Sequence, residues 1–298
     1  MEEKKPSESA ISAAMTRAAH LILDDDPKIL HDTLALSFSS MPDEQAVIST
    51  LNAFYKEMGQ EMSPDFAKDY ALSSRAYLVV RQRYAEDELG KALERGISQY
   101  VILGAGLDSF ACRRPDLENK LKVFEVDHPD TQEWKKMRLR ELGIDLPLNL
   151  TFVPVDFERQ NLTNELRLAG CRIDIPAFFS MLGVVHYLTE GAIFQTLREI
   201  AVMATGSEIV FDYMLLNSLL DERDRRGITW GRSQKRQQGV QSQFDPVVLG
   251  ERLKEIGYND YLPVSECASK EVVSLPVHPS LKKSDLDMIC GKLREIMC

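Results

Sequence analysis

Hydrophobic and polar positions along the chain change their period near residue 100. Upstream, Ile11, Met15, Ala18, Ala19 and Ile22 fall on one face of a helix running from about Ser12 to Leu23. The same spacing predicts helices over 43–59 and from about Ser73 to Arg95, the latter closed by Gly96 just past the last turn. Asp24-Asp25-Asp26-Pro27 interrupts the pattern as a solvated turn, with Asp26 before Pro27 placed to cap the next helix. Residues 1–9 read as a frayed tail, so roughly the first hundred residues are expected to be a helical N-terminal cap.

Downstream, short apolar runs alternate with helical spacing. Strands are predicted at 100–103, 121–126, 150–155, Ile175–Leu182 and Glu208–Tyr213, with helices near 130–142, 161–169 and Glu190–Ala204. This alternation means an α/β fold: a mostly parallel sheet with helices on both faces and ligands at the carboxyl ends of the strands. The charge-rich stretch 217–243 leaves the fifth strand on that binding side, as a solvated helix and loop or as a lid over the site. Asp245-Pro246 starts another helix with Val248, Leu249, Leu253 and Ile256 inward and Gly257 at its end. Tyr258–Val264 and Glu271–Val277 read as antiparallel closing strands, and Ser284-Asp285-Leu286-Asp287 as the cap of a last helix. The expected division is a cap over 1–96 that is integral to the fold, then a core over 97–298 with the lid-like insertion at 217–243.

Composition narrows the function classes. The chain has 298 residues, 44% hydrophobic and 28% charged, which fits a folded core. A formal charge of −10 argues against an extended nucleic-acid surface. Cys112, Cys171, Cys267, Cys290 and Cys298 form no CxxC pair, so reduced thiols are expected and a structural zinc site is not. His20, His31 and His278 have no neighbours that indicate a metal, and none is expected. The start of the chain is polar and no run approaches membrane-spanning length, so the expected setting is cytoplasmic with no membrane partner.

The chemistry concentrates at three strand tips. Tyr100-Val101-Ile102-Leu103 stops at Gly104-Ala105-Gly106, where missing Cβ atoms allow a tight turn and close approach of a ligand. The next strand ends at Asp127, twenty-one residues after Gly106, where a ribose is held in doubly wound folds. The third ends at Asp156 with Phe157 beside it. Together the tips describe a nucleoside site. A nicotinamide dinucleotide would want a third glycine at position 109, which is Ser109, and a βαβ unit that opens the domain. S-adenosylmethionine has no pyrophosphate, so that glycine is dispensable; it offers ribose hydroxyls to Asp127 and an adenine amino group to Asp156. An NAD-dependent oxidoreductase and a non-methylating S-adenosylmethionine-binding protein stay as alternatives.

Three of these segments, Val101–Ser109, Val123–Pro129 and Val153–Asp156, with Phe178–Thr189 and Phe244-Asp245-Pro246, also resemble the leucine carboxyl methyltransferase superfamily. The likeness is greatest to its bacterial branch of S-adenosylmethionine-dependent O-methyltransferases and covers about residues 10 to 262. The resemblance implies a class I methyltransferase (Rossmann-like) fold with a helical N-terminal cap. It implies that Gly104, Ala105 and Gly106 line the cofactor, Asp127 holds the ribose, Asp156 with Phe157 holds the adenine, and His128 borders it. Arg81 matches the arginine that grips the methionine carboxylate in this family, whereas Arg83, two residues on, faces elsewhere on a helix. Leu182 stands where relatives often carry a glutamate facing the methionine amino group, and His31-Asp32-Thr33 where they show Asp-Pro.

Methyl transfer to a carboxylate needs no general base, because the acceptor is ionised at neutral pH. A hydroxyl acceptor would benefit from one, and His186, Tyr187, Asp212 and Tyr213 lie near the strand tips. The expected activity is O-methylation of a small-molecule carboxylate or hydroxyl, with S-adenosyl-L-homocysteine as the second product.

Overall fold

The computed structural model describes residues 6–233 and 239–258. Its helical half begins with α1 (Glu8–Leu23), capped by the Ser7 hydroxyl, which accepts from Ala10 N. The short α2 (Ala35–Phe38) follows, then α3 (Glu44–Glu61), capped by Asp43. The long α4 (Pro64–Glu94) begins well before Ser73, because Ser63 caps it, Pro64 opens its first turn, and Phe66 and Ala67 pack on Met58 of α3. Two readings of the acidic turn are corrected. Asp26-Pro27 starts no helix, and 25–34 is irregular apart from a turn. Asp24 is tied rather than solvated: it meets Arg75 at 2.8 Å and His20 Nδ1 at 2.8 Å. Nε2 of His20 accepts from Ile29 N (3.1 Å), so the ring folds the irregular segment back on α1.

The sheet is built from β1 (Gln99–Leu103), β2 (Lys122–Asp127), β3 (Leu150–Pro154), β4 (Phe178–Met181) and β5 (Glu208–Phe211). Its order is β3-β2-β1-β4-β5, and every neighbouring pair is parallel. The connections run through α5 (Phe110–Arg113), α6 (Pro129–Glu141), α7 (Leu162–Leu168) and α8 (Glu190–Ala201). β4 starts at Phe178 rather than Ile175, and Pro176 just before it has no N–H to give a ladder.

Alternate strand residues feed two cores. Val101, Leu103, Phe124, Phe179 and Met181 face Leu166 of α7 and Ile193 and Leu197 of α8. Tyr100, Ile102, Val123 and Phe178 face Leu89 and Ala92 of α4 and Phe110 of α5. The cap helix α4 is therefore one layer of the sheet's covering. Beyond β5, an isolated parallel bridge joins Leu215 to Phe244, so the insertion leaves and returns at one point. Within it lies α9 (Glu222–Ser233), and after it α10 (Pro246–Glu255). Leu249 and Leu253 of α10 are buried, but Val248 is 50% exposed, since it falls on the outer side of the helix. The predicted closing strands and last helix lie outside the described residues. No helix among the described residues is long and apolar enough to cross a membrane.

Candidate active site

The strand order reverses between β1 and β4, because β2 and β3 lie on one side of β1 and β4 and β5 on the other. In open parallel sheets the crevice outside the strand ends at such a point is where ligands bind. The glycine turn lies there. Gly104 N and Ala105 N both donate to Val126 O, at 2.8 and 3.0 Å, so the turn hooks over the end of β2. Gly106 N donates to Asp127 Oδ2 at 2.5 Å and His128 N to Oδ1 at 2.6 Å. Burial pushes the Asp127 carboxyl above its ordinary value, against the pull of these two amides. Gly104 has φ of 68°, and a Cβ there would stand 2.2 Å from Val184 Cγ2. Only glycine fits between the two strand tips.

The cap reaches this turn directly. A Cβ on Gly106 would meet the Ala10 methyl of α1 at 3.3 Å, and Arg17 of α1 donates to Leu107 O at 2.7 Å. Arg17 also pairs with Asp32 at 2.8 Å, both side chains almost fully buried. Gln82 Nε2 of α4 donates to Asp108 Oδ2 at 2.9 Å, and Asp108 Oδ1 accepts from Phe110 N at 2.6 Å.

On the β4–β5 side stands a second polar cluster. Arg81 Nη1 donates to Asp212 Oδ2 at 2.5 Å, the Tyr77 hydroxyl donates to the same oxygen, and Gly183 N donates to Oδ1 at 2.5 Å. Burial alone would raise Asp212, but Arg81, the Tyr77 hydroxyl and the Gly183 amide hold its carboxyl below the usual range. The Tyr77 hydroxyl is pushed well up by burial and by Asp212. Gly183 has φ of 72°, and a Cβ there would lie 2.7 Å from Arg81 Nη2, so the guanidinium lies against bare backbone. Arg83 instead points outward to Asp87 at 2.7 Å. Sequence reading passed over Tyr77, although a tyrosine one helical turn before Arg81 shares its face.

The other predicted residues are distributed around these two clusters. Asp156 follows β3, with Oδ1 accepting from Glu158 N (3.0 Å), and neighbouring Phe157 packs on the core. His128 caps α6 and is exposed. Leu182 is half-buried between Met181 and Gly183. His186 is buried on a 3-10 turn, Val185–Tyr187, with its ring 4.1 Å from that of Tyr187. Burial pushes Tyr187 above its ordinary value, and its side chain shares a hydrogen bond with Ser9 of α1. Tyr213 turns its ring onto Phe211 and Phe244 and packs against the core on the α7–α8 side of the sheet. The returning leg of the insertion runs beside the 3-10 turn, with Gln241 N donating to His186 O (2.8 Å) and the Ser242 hydroxyl to Leu188 O (2.5 Å).

A family model described as leucine carboxyl methyltransferase matches residues 10–201, from α1 to the end of α8. The chain belongs to the leucine carboxyl methyltransferase family. It is 35% identical over 222 residues to a Bacillus subtilis protein named "Putative S-adenosyl-L-methionine-dependent methyltransferase YktD", covering 72% of each chain. A Mycobacterium ulcerans protein of the same description is 30% identical over 205 residues, 68% of this chain and 64% of that one. Among solved structures, one described as a putative methyltransferase from Thermobifida fusca aligns with a TM-score of 0.47 at 16% identity, over 84% of this chain and 80% of that one.

As a member of this family the chain is an S-adenosyl-L-methionine-dependent methyltransferase, and its residues fit that cofactor. A cradle that a Cβ would fill, at Gly104, adjoins a buried carboxylate at Asp127, and an arginine and a second carboxylate stand across the switch point. Among the described residues no group of three or more His, Cys, Asp or Glu could hold a metal ion.

Proposed function

We propose that the methyl group goes to an oxygen of a small molecule, and that this oxygen belongs to a carboxylate. One observation carries the reading. The carboxylate at the β4–β5 tips is locked low by Arg81, while the phenols of Tyr77 and Tyr187 are pushed up, so neither type of group takes up a proton near neutral pH. A carboxylate acceptor needs no such group, because it is already ionised. The family description, leucine carboxyl methyltransferase, agrees with carboxyl chemistry.

When bound, with Gly104, Ala105, Gly106 and Asp127 at its nucleoside and Arg81 at its carboxylate, the cofactor would supply a sulfonium-activated methyl group for in-line transfer to an acceptor oxygen, the C–S bond breaking to leave S-adenosylhomocysteine. The chain's part is to hold the acceptor oxygen in contact with that carbon and to exclude water. Such positioning supplies on the order of 7–11 kcal/mol in intramolecular reactions. The insertion from Asn217 to Gln243 is the lid in this reading: it is anchored at Leu215–Phe244, returns past His186–Leu188, and packs Gly227 of α9 against Phe66 of α4. The cap over 1–96 is integral to the same fold.

A hydroxyl acceptor is the second reading, favoured by the buried His186 beside Tyr187. The test is the single-turnover rate of methyl transfer from labelled cofactor to panels of carboxylic acids and phenols, followed over pH 6–9. A carboxylate acceptor gives a nearly flat profile and a His186→Gln variant that keeps the chemical step. A rate that rises through about pH 6.5 and is lost about a hundredfold in His186→Gln overturns the carboxylate reading in favour of the hydroxyl.

A further inference from the structure

The amino-acid head of S-adenosylmethionine carries a carboxylate and an ammonium on one carbon. A site that desolvates both must present a cation and an anion side by side, or leave one charge buried and unmatched. The chain offers Arg81 as the cation. Leu182, just past β4 and before the Gly183 that Arg81 lies against, carries no charge, and the anion lies one strand further on. Asp212 follows β5, is 12% exposed, and touches Arg81, Tyr77 and Gly183. It also lies beyond the stretch that the family model matches, 10–201.

We propose that Arg81 and Asp212 together seat the zwitterionic head of the cofactor, with Asp212 taking the ammonium. This rests on the reading of S-adenosylmethionine as the cofactor. The two side chains neutralise each other at 2.5 Å. The incoming zwitterion exchanges one ion pair for two, and the charge count of the pocket does not change. The neighbours of Asp212 keep it ready for that exchange. The Gly183 amide holds Oδ1, the Tyr77 hydroxyl holds Oδ2, and the side chain stays ionised. Gly183 without a Cβ leaves the guanidinium lying on the backbone directly beside Leu182. A glutamate at 182 is therefore not needed in this chain, because the neighbouring strand supplies the carboxylate.

Titration calorimetry with three ligands tests the proposal: S-adenosylhomocysteine, its desamino analogue, which keeps the carboxylate, and 5′-methylthioadenosine, which lacks the head altogether. Wild-type protein should prefer S-adenosylhomocysteine to the desamino compound by at least about tenfold, the value of one charge-assisted hydrogen bond. Asp212→Asn should remove most of that preference and leave 5′-methylthioadenosine binding within about twofold, which also reports that the variant is folded. An equal loss for the desamino compound would mean that Asp212 acts only by orienting Arg81, and overturns the proposal. Equal wild-type affinities for the two head-bearing ligands overturn it without any variant. A wild-type protein that binds none of the three overturns the cofactor reading, and this proposal with it.

Discussion

Gly104 and Val184 meet across the switch point so closely that a Cβ on the glycine would stand 2.2 Å from the valine Cγ2. The contact joins the tip of β1 to the segment after β4, so any side chain at 104 wedges the crevice open. Gly104→Ala should lower the thermal midpoint and weaken S-adenosylhomocysteine binding, through this clash and through a φ of 68°, which alone costs on the order of 1–3 kcal/mol for a non-glycine residue. Adding Val184→Ala should recover the part due to the clash and leave the backbone part. Thermal unfolding of the single and double variants reads this out. A Gly104→Ala protein as stable as wild type would show that the turn relaxes freely.

Asp127 has a structural part in the glycine turn. Its two oxygens hold Gly106 N and His128 N, so the carboxylate staples the glycine turn to the end of β2. Asp127→Asn keeps the shape but turns an NH2 group toward one of the two amides. The loss should be about 1.5–3 kcal/mol in chemical denaturation, together with at least a tenfold drop in S-adenosylhomocysteine affinity. Binding lost with stability unchanged would mean that the amides find other partners and that the residue serves the ligand alone.

The parallel strands were legible in the sequence because strands buried on both faces are written as apolar runs, here stopped by Gly104 or by an acid such as Asp127. The glycine turn and the acid tips followed from that. What could not be read was the pairing across distance. Tyr77 and Arg81 meet Asp212 from more than a hundred residues away, and only the order β1-β4-β5 brings them together. Asp212 was visible only as a possible base, and Tyr213 beside it pointed equally well to the site until the alternation along the segment turned it into the core. The early start of α4 was written in Ser63-Pro64, a cap followed by a proline, but its first turns bury an interhelical face whose few apolar residues gave a weak period. The tie from Asp24 to Arg75 had no local signal at all.

Behind Asp127, Glu125 and Lys135 form a fully buried ion pair between β2 and α6 at 2.5 Å. Burial outweighs the lysine and pushes the Glu125 carboxyl from 4.5 to about 7. A carboxyl with a raised folded value binds its proton more tightly in the native state than in the unfolded one. Stability therefore falls as pH rises from about 4.5 to about 7 and levels off above. Glu125→Gln should flatten that part of the profile, measured as the denaturation free energy at several pH values. A profile that rises over this window in wild type, or keeps its slope in the variant, would assign the pH dependence to other groups.

The last prediction concerns the cap. Arg17 of α1 reaches two places at once, Asp32 in the irregular segment at 2.8 Å and Leu107 O in the turn after Gly106 at 2.7 Å. Burial would raise Asp32, but Arg17 and Arg113 hold it below its ordinary 3.8, so its contribution to stability is present above that value and is lost as pH falls through the lower folded one. Removing Arg17 leaves this carboxylate buried with Arg113 at 3.6 Å as its remaining cation. Arg17→Ala should therefore cost about 3 kcal/mol, the lower end of the range for breaking a buried pair. It should also weaken S-adenosylhomocysteine, since the turn loses the donor on Leu107 O. Arg17→Lys can keep the charge opposite Asp32 but cannot fork to both acceptors, so it should restore stability more than binding. If the cap were a separate unit resting on the core, Arg17→Ala would unfold in two transitions and leave ligand affinity unchanged; a single transition with weakened binding makes α1 part of the cofactor site.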